Sequence, residues 1–370
     1  MPNGNLGGGL GTQSSPFEIW DVHDLNALRG LPTSNENRIY IRFKADIDFR
    51  VTPFADLFTT IRFANNLAAT TAWDFVDIDG EGHTLRNFRQ TGASIEGCGL
   101  FRYIDGSIRN LNIHCNSHYA FGSVSSGVLA QFARTTLIEN IKITGTLTVA
   151  NTAVSGLVHT IHPINNTTPV LISNCIVNLR VDANAGFNGF FGTMLAGAGN
   201  TVILHRCVSA NNVYCGTANV TIGGFFSAAS TNGTVILDSC ISECYFAMLT
   251  EAQQFTGIVA GFRASTAGIT MQAYINCISK CKFDGMPPAT ANNMSAFAPN
   301  NIFTVVRCYA ACQYDLKSSA ANIRGGDGIA LFDWEQSGLP FNRFTDGAAV
   351  GVTTEQLQSK SFLESRGWIF

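Results

Sequence analysis

Ile172-Ser-Asn-Cys175-Ile-Val, Leu204-His-Arg-Cys207-Val-Ser, Leu237-Asp-Ser-Cys240-Ile-Ser, Tyr274-Ile-Asn-Cys277-Ile-Ser and Val305-Val-Arg-Cys308-Tyr-Ala recur along one chain. Their cysteines lie 32, 33, 37 and 31 residues apart, and an internal period of this size marks a solenoid, a propeller or an array. A second element shares the period. Ser155-Gly-Leu-Val, Asn188-Gly-Phe-Phe, Gly223-Gly-Phe-Phe, Thr256-Gly-Ile-Val and Met294-Ser-Ala-Phe each precede a cysteine segment.

Each repeat therefore reads as a short apolar strand, a turn of small residues, and two more short strands rich in Val, Ile, Phe and Thr. Helical periodicity is absent from about Asp77 to Tyr314. A propeller blade needs four strands and about 40 to 50 residues, whereas three short strands suit one coil of a right-handed parallel β-helix. The expected fold is all-β, with the cysteines stacked as a ladder on one inward face. A leucine-rich or β-sandwich fold is the remaining alternative.

Terminal coils expose unpaired edges, so a solenoid needs caps. Pro16-Phe-Glu-Ile-Trp20 reads as a strand, and Asp21 to Leu28 as a short helix with an Asp N-cap, ended by Gly30. At the other end Thr353 to Leu363 reads as one capped helix, closed by Gly367, with Trp368-Ile-Phe370 as a last strand. The resulting division is a flexible Gly-rich arm over 1–15, an N-terminal cap and first coil over 16–75, the β-helix over 76–316, and a C-terminal cap over 317–370.

An ordered series of segments carries a family resemblance: Pro16 to Leu28, Ala45-Asp-Ile-Asp48-Phe, Ile78-Asp-Gly-Glu-Gly-His83-Thr-Leu, Gly99-Leu-Phe101, and Ser107-Ile-Arg-Asn-Leu-Asn-Ile113. It resembles the β-helix domains with GLUG-type (Gly-Leu-Phe) repeats of bacterial surface proteins and phage virion proteins. The segment from Thr353 to Phe370 is similar to that group's terminal segment. The resemblance implies a β-helix over nearly the whole chain and, for a fibre or spike, a homotrimer. It specifies fold better than function.

Composition excludes several classes. Lys and Arg number 23 against 26 Asp and Glu, giving a net charge of −3, and no basic block offers a nucleic-acid footprint. The uncharged run from Val208 to Leu237 is interrupted by Asn, Ser, Thr and Gly, so no membrane span is expected. The N-terminus lacks the basic and apolar regions of a signal peptide, which favours a virion component made in a host cytoplasm over an exported one.

The chemistry-bearing residues have plain readings. Eleven cysteines include pairs four apart (Cys240 and Cys244, Cys277 and Cys281, Cys308 and Cys312) and one eight apart, Cys207 and Cys215. A core ladder is expected, with disulfides or metal as alternatives, since zinc sites need converging pairs. His114 with His118, and His159 with His162, are spaced for a metal or acid–base pair but lack a recurring partner. Polysaccharide lyases and hydrolases need clustered acids on adjacent coils. The candidates are Asp46, Asp48, Asp77, Asp79 and Glu81, and acids are nearly absent between Arg180 and Glu243. Sequons at Asn166, Asn219, Asn232 and Asn293 read as polar turns. Tyr119, Phe121 and Trp334 could stack on sugars, with core packing as the default.

The sequence thus predicts a non-catalytic virion structural or attachment protein, such as a phage fibre, spike or capsid-decoration element. No catalytic, cofactor-binding or metal residue is assigned, and no cofactor. Expected partners are other virion proteins, through the N-terminal arm, and a host surface glycan. A secreted or cell-surface bacterial adhesin and a polysaccharide-degrading β-helix enzyme are the alternatives.

Overall fold

The computed structural model describes residues 6–365 apart from 30, 32–36, 52–73, 90–98, 120–125, 151, 164–167, 195–199, 218–219, 230–232, 250–257, 263–270, 287–293, 298–303, 317–322, 325–327 and 334–348. The chain is a parallel β-solenoid. Every strand pairing between coils is parallel, and the central ones keep register: Ile138 pairs with Ile172, Ile172 with Leu204, Leu204 with Leu237, Leu237 with Tyr274, and Tyr274 with Val305.

Three faces enclose the core. Face A is the broadest and holds such strands as Ile39–Phe43, Ile108–Tyr119, Leu137–Val149 and Ile176–Ala183. Face B stacks Phe101–Asp105, Ala130–Arg134, Val158–Ile161, Phe191–Met194 and Phe226–Ala229. Face C stacks two- and three-residue strands from Ser126–Gly127 to Ile323–Arg324. Alternation sets which side chains point inward. On face A Val202 and Leu204 are buried while Thr201, Ile203 and His205 are half-buried.

Within face A the strands bend at one residue per coil. Asn110, Asn140, Asn174, Arg206, Ser239, Asn276 and Arg307 all have φ between 51° and 56°, the left-handed region in which Asn is enriched. The next residue turns inward, and from Asn174 onward it is a cysteine.

The cysteines form two parallel inward files. Cys175, Cys207, Cys240, Cys277 and Cys308 make the first, and Cys244, Cys281 and Cys312 the second; with Cys115 and Cys215 these are ten free, buried thiols. Each thiol of the first file donates to a carbonyl one coil back, as Cys207 does to Ile172 at 3.4 Å and Cys240 to Leu204 at 3.4 Å. The second file interleaves with serines: Cys244 lies 3.3 Å from Ser209 Oγ, Cys281 3.2 Å from Ser242 Oγ and Cys312 3.3 Å from Ser279 Oγ. Those hydroxyls cross the core to face C, donating to the carbonyls of Gly224, Gly261 (2.5 Å) and Ala296 (2.8 Å). Asn211 heads this column at the cysteine's position. Its Nδ2 donates to Ser209 Oγ at 2.8 Å, and its Oδ1 accepts from Leu179 N–H at 2.9 Å.

The opposite corner packs by stacking. Phe190, Phe225, Phe262 and Phe297 lie in consecutive coils with centroids 4.7, 4.8 and 5.2 Å apart and nearly parallel rings. Glycines allow it, because a Cβ on Gly189 or Gly224 would lie 1.8 Å from the next coil's carbonyl oxygen. Register also corrects one sequence alignment. The partner of Ile222-Gly223 is Val259-Ala260, so Gly261-Phe262 continues the Gly-Phe motif, not Thr256-Gly-Ile-Val. The 37-residue interval from Cys240 to Cys277 holds the extra residues that hid this.

The ends depart from expectation in three ways. Residues 6–15 are not a loose arm: they fold back along the strand Phe17–Ile19, with Gly7 N–H donating to Glu18 O and Glu18 N–H to Gly8 O, both at 3.0 Å. Gly9 (φ 79°) permits this, since a Cβ there would sit 1.8 Å from Pro16 O. Helix α1 (Val22–Ala27) has the expected cap, Asp21 accepting from the N–H groups of His23 and Asp24. The C-terminal helix is split into α2 (Thr354–Gln358) and α3 (Lys360–Ser365). Thr353 and Gln356 form a capping box on α2, and the extended Ser359 accepts from Phe362 N–H at 3.3 Å, starting a second helix. Coil pairing also runs past residue 316, through Gly328–Asp333 to Ala349–Val352. Gly30, Gly367 and the strand expected at Trp368–Phe370 lie outside the described residues.

Candidate functional site

The acids singled out in the sequence converge on the outer side of face A in the first coils. One file across the coils runs Arg42, Asp79, Arg109, Glu139, alternating in sign at the coil spacing of about 4.8 Å. Arg109 Nε donates to Asp79 at 3.0 Å, as do Asn110 Nδ2 and Glu81 N–H. Glu81 in turn pairs with Arg42 and Lys44, each at 3.0 Å. Asp77 accepts from Ser107 N–H at 2.7 Å and Ser107 Oγ at 2.6 Å. Behind them Asp105, 3% exposed, is held between Arg38 and Arg134.

A second group lies around the turn that carries His83. Asp46 accepts from Arg86 at 2.7 Å and Thr84 N–H at 2.9 Å, with His83 Nδ1 at 3.4 Å. Asp48 binds Arg50 and Asn87, each at 2.9 Å.

These contacts fix protonation. The Arg86 hydrogen bond holds the Asp46 carboxyl below the usual carboxylate range, and Arg50 does so more strongly for Asp48. At Asp79 burial pushes upward, but the Asn110 amide, the Glu81 N–H and the Arg109 charge bring it below its ordinary value. A hydrolytic carboxylate pair needs one acid kept protonated near neutrality. Asp46, Asp48 and Asp79 are driven the other way. Asp24 is raised by burial, but it sits in α1, where it accepts from Trp20 N–H at 2.9 Å.

The surface here is indented. An open cavity of about 430 Å³ is lined by Asp79, Glu81, Gly82, Asn110, Asn112 and Asn140. A second, of about 240 Å³, shares Asp79 and adds Gln13, Tyr40, Arg42, Asp77, Ser107 and Arg109 among its walls. The amides form a ladder, Asn140 Nδ2 donating to Asn110 Oδ1 at 2.9 Å. The strip can accept and donate hydrogen bonds over several coils. The sequence named its acids but missed the cations and amides, although the recurring Asn before the inward turn residue was available as a signal.

The other candidates do not join it. His114 contacts Thr144 Oγ1 at 3.1 Å, and the His118 side chain lies outside the described residues. His159 and His162 are kept neutral: burial pushes His159 down to about 4, and burial with the Arg134 charge lowers His162. Among the described residues no three His, Cys, Asp or Glu side chains group as metal ligands, and no helix is long and apolar enough to cross a membrane. Phe121, Trp334, the Tyr119 side chain and all four sequon asparagines lie outside the described residues.

No protein-family model matches the chain. Halomucin from Haloquadratum walsbyi is 30% identical over 154 residues, which is 41% of this chain and only 2% of that protein's length. Among solved structures, a candidate immunoglobulin A1 protease from Bacteroides ovatus is similar with a TM-score of 0.55 at 16% identity, over 96% of this chain and 88% of that one. A second structure, named IgA1 Protease, is similar with a TM-score of 0.50 at 15% identity, over 83% of this chain and 21% of its own length. At these identities the likenesses establish the solenoid fold and nothing finer.

Proposed function

We propose that this chain is a non-catalytic attachment and display scaffold that works outside the cell. A stiff β-solenoid holds outward side chains at fixed coil spacing for a partner to meet. The observation that carries the reading is the state of the candidate acids. Each is engaged by a cation or N–H, mostly from a neighbouring coil, and Asp46, Asp48 and Asp79 are held ionised. That arrangement stitches coils together and supplies no proton donor opposite a base.

The names of the similar proteins support an extracellular setting, since immunoglobulin A1 is a secreted molecule and mucins are secreted or surface polymers. They favour the surface or secreted alternative over the virion appendage, and nothing in them bears on virion partners or a trimer. Incubating the purified chain with immunoglobulin A1 and with plant and bacterial polysaccharides, followed by gel electrophoresis and reducing-sugar assay, tests the absence of catalysis. Intact substrates are expected. Cleavage activity that co-purifies with the chain would overturn the reading, and its loss in Asp79→Asn would place the reaction in this strip. Antibody labelling of intact producing cells, positive on this reading, tests the location.

A further inference from the structure

Beyond the N-terminal strip, face A carries a second outward cluster that the sequence reading did not name. The strands Ile176–Ala183, Asn212–Cys215, Tyr245–Met248 and Lys282–Met286 stack in register. Leu179, Val181, Val213, Phe246 and Phe283 are buried, so the alternating positions form two outward files. One file is Arg180, Asn212, Tyr245, Lys282. The other is Asp182, Tyr214, Ala247, Asp284.

The tyrosines meet edge to face, with centroids 5.9 Å apart. The Arg180 guanidinium lies 4.5 Å from the Tyr214 ring centre, and Lys282 Nζ lies 5.5 Å from that of Tyr245. Tyr245 donates its hydroxyl to Asp284 at 2.6 Å. Ala247, one coil beyond Tyr214, is buried under its neighbours and contributes only a methyl group between these larger side chains. Both cations are about half exposed, Arg180 at 58% and Lys282 at 46%.

We propose that this cluster is a binding subsite for a neutral glycan. A sugar ring offers an apolar C–H face and a rim of hydroxyls. Tyr214 and Tyr245 supply amphipathic rings for the first, with little conformational entropy to lose. The Asp284 carboxylate, the Asn212 amide and the Arg180 guanidinium supply planar donors and acceptors for the second. Charge selects the neutral class. Arg180 is offset by Asp182 at 3.7 Å and Lys282 by Asp284 at 3.7 Å, so the cluster has no excess positive charge to attract a uronate, a sialylated chain or a nucleic acid. This subsite deepens the attachment reading and rests on it, but its failure is read by binding, whereas that reading fails by substrate cleavage.

The test uses the whole chain against immobilised neutral oligosaccharides of glucose, galactose, mannose and N-acetylglucosamine, with sialylated and uronate oligosaccharides alongside. The expected result is binding within the neutral panel that persists in 0.5 M salt, as screening of surface charge leaves stacking in place. Tyr214→Ala should weaken it at least tenfold and Tyr245→Phe less, while Glu364→Gln in the exposed last helix leaves it unchanged. Circular dichroism melts confirm that each variant folds, and Arg180→Gln, at an exposed position, provides a second probe should Tyr214→Ala melt early. No binding in the neutral panel, binding confined to acidic glycans and lost in salt, or binding indifferent to both Tyr214→Ala and Arg180→Gln would each overturn the proposal.

Discussion

Arg206, Ser239 and Arg307 hold φ of 52°, 56° and 51° at the bend of face A, where other coils place Asn110, Asn140, Asn174 and Asn276. The left-handed region costs an ordinary residue about 1–2 kcal/mol, and Asn is among the few that tolerate it through local hydrogen bonding. Arg206→Asn should therefore stabilise the chain by roughly 0.5–1 kcal/mol, seen as a higher denaturation midpoint in urea. An unchanged or lower midpoint would mean that the Arg206 side chain contributes more than its backbone costs. Gly224 has the opposite sensitivity. A single methyl group there would meet the Gly261 carbonyl and Ser242 Oγ, at 1.8 and 2.7 Å in the present geometry, so Gly224→Ala should cost about 3 kcal/mol or more, read in the same urea titration.

At the scale of the element, the cysteine files should behave as sealed packing. Burial pushes the thiols of Cys115, Cys215 and Cys281 up to about 12, while at Cys207 and Cys277 burial also pushes upward but hydrogen bonds from neighbouring thiols lower them. All ten are at most 1% exposed, so no reagent reaches them in the folded chain. An aromatic disulfide reagent at pH 8 should react with none of the ten described thiols before the unfolding transition; reaction at native-state rates would show that the solenoid opens locally. The cysteines were also the clearest sequence signal, since a small apolar residue fixed after each bend from Asn174 onward gives the period directly. The glycine-rich start misled because Gly9 and Gly11 read as slack, whereas positive φ at 79° and 74° is what lets the chain double back. The split of the last helix could have been read from Ser359, a good N-cap inside an apparent helix. The candidate site was only half legible. Asp77 and Asp79 are plain in the sequence, but Arg38 and Arg109 come from neighbouring coils, 39 and 30 positions away, and which coil lies beside which is known only once the register is.

For the whole molecule, these groups set a pH profile. His159 is held at about 4 against an ordinary 6.5, so the unfolded chain binds the extra proton between those values. Stability from this residue is complete above about 6.5 and declines as pH falls toward 4. The depressed carboxyls of Asp46 and Asp79 act in the same sense at lower pH, their contribution being lost as pH falls below about 4. Thermal melts should be flat from about 6.5 to 8, drift down from 6.5 to 4, fall more steeply below, and decline again above about 9, where thiols still protonated in the folded chain ionise in the unfolded one. His159→Gln should remove part of the upper decline and none of the lower; an unaltered upper limb would assign that decline elsewhere, with His162 the next imidazole to test.

A chain of near-identical coils also faces a problem of addressing. Ser209, Ser242 and Ser279 make interchangeable contacts, so a coil docked one place too far along would find a partner almost as good. Asn211 breaks that degeneracy. It stands where later coils have cysteine, and its amide accepts from the Leu179 N–H while donating to Ser209, a two-sided contact that a thiol makes only weakly. It works as an index mark at the head of a repetitive tape. Copying a coil downstream of it would lengthen the rod without confusing the count, whereas duplicating the Asn211 coil itself would write two starting points into one molecule.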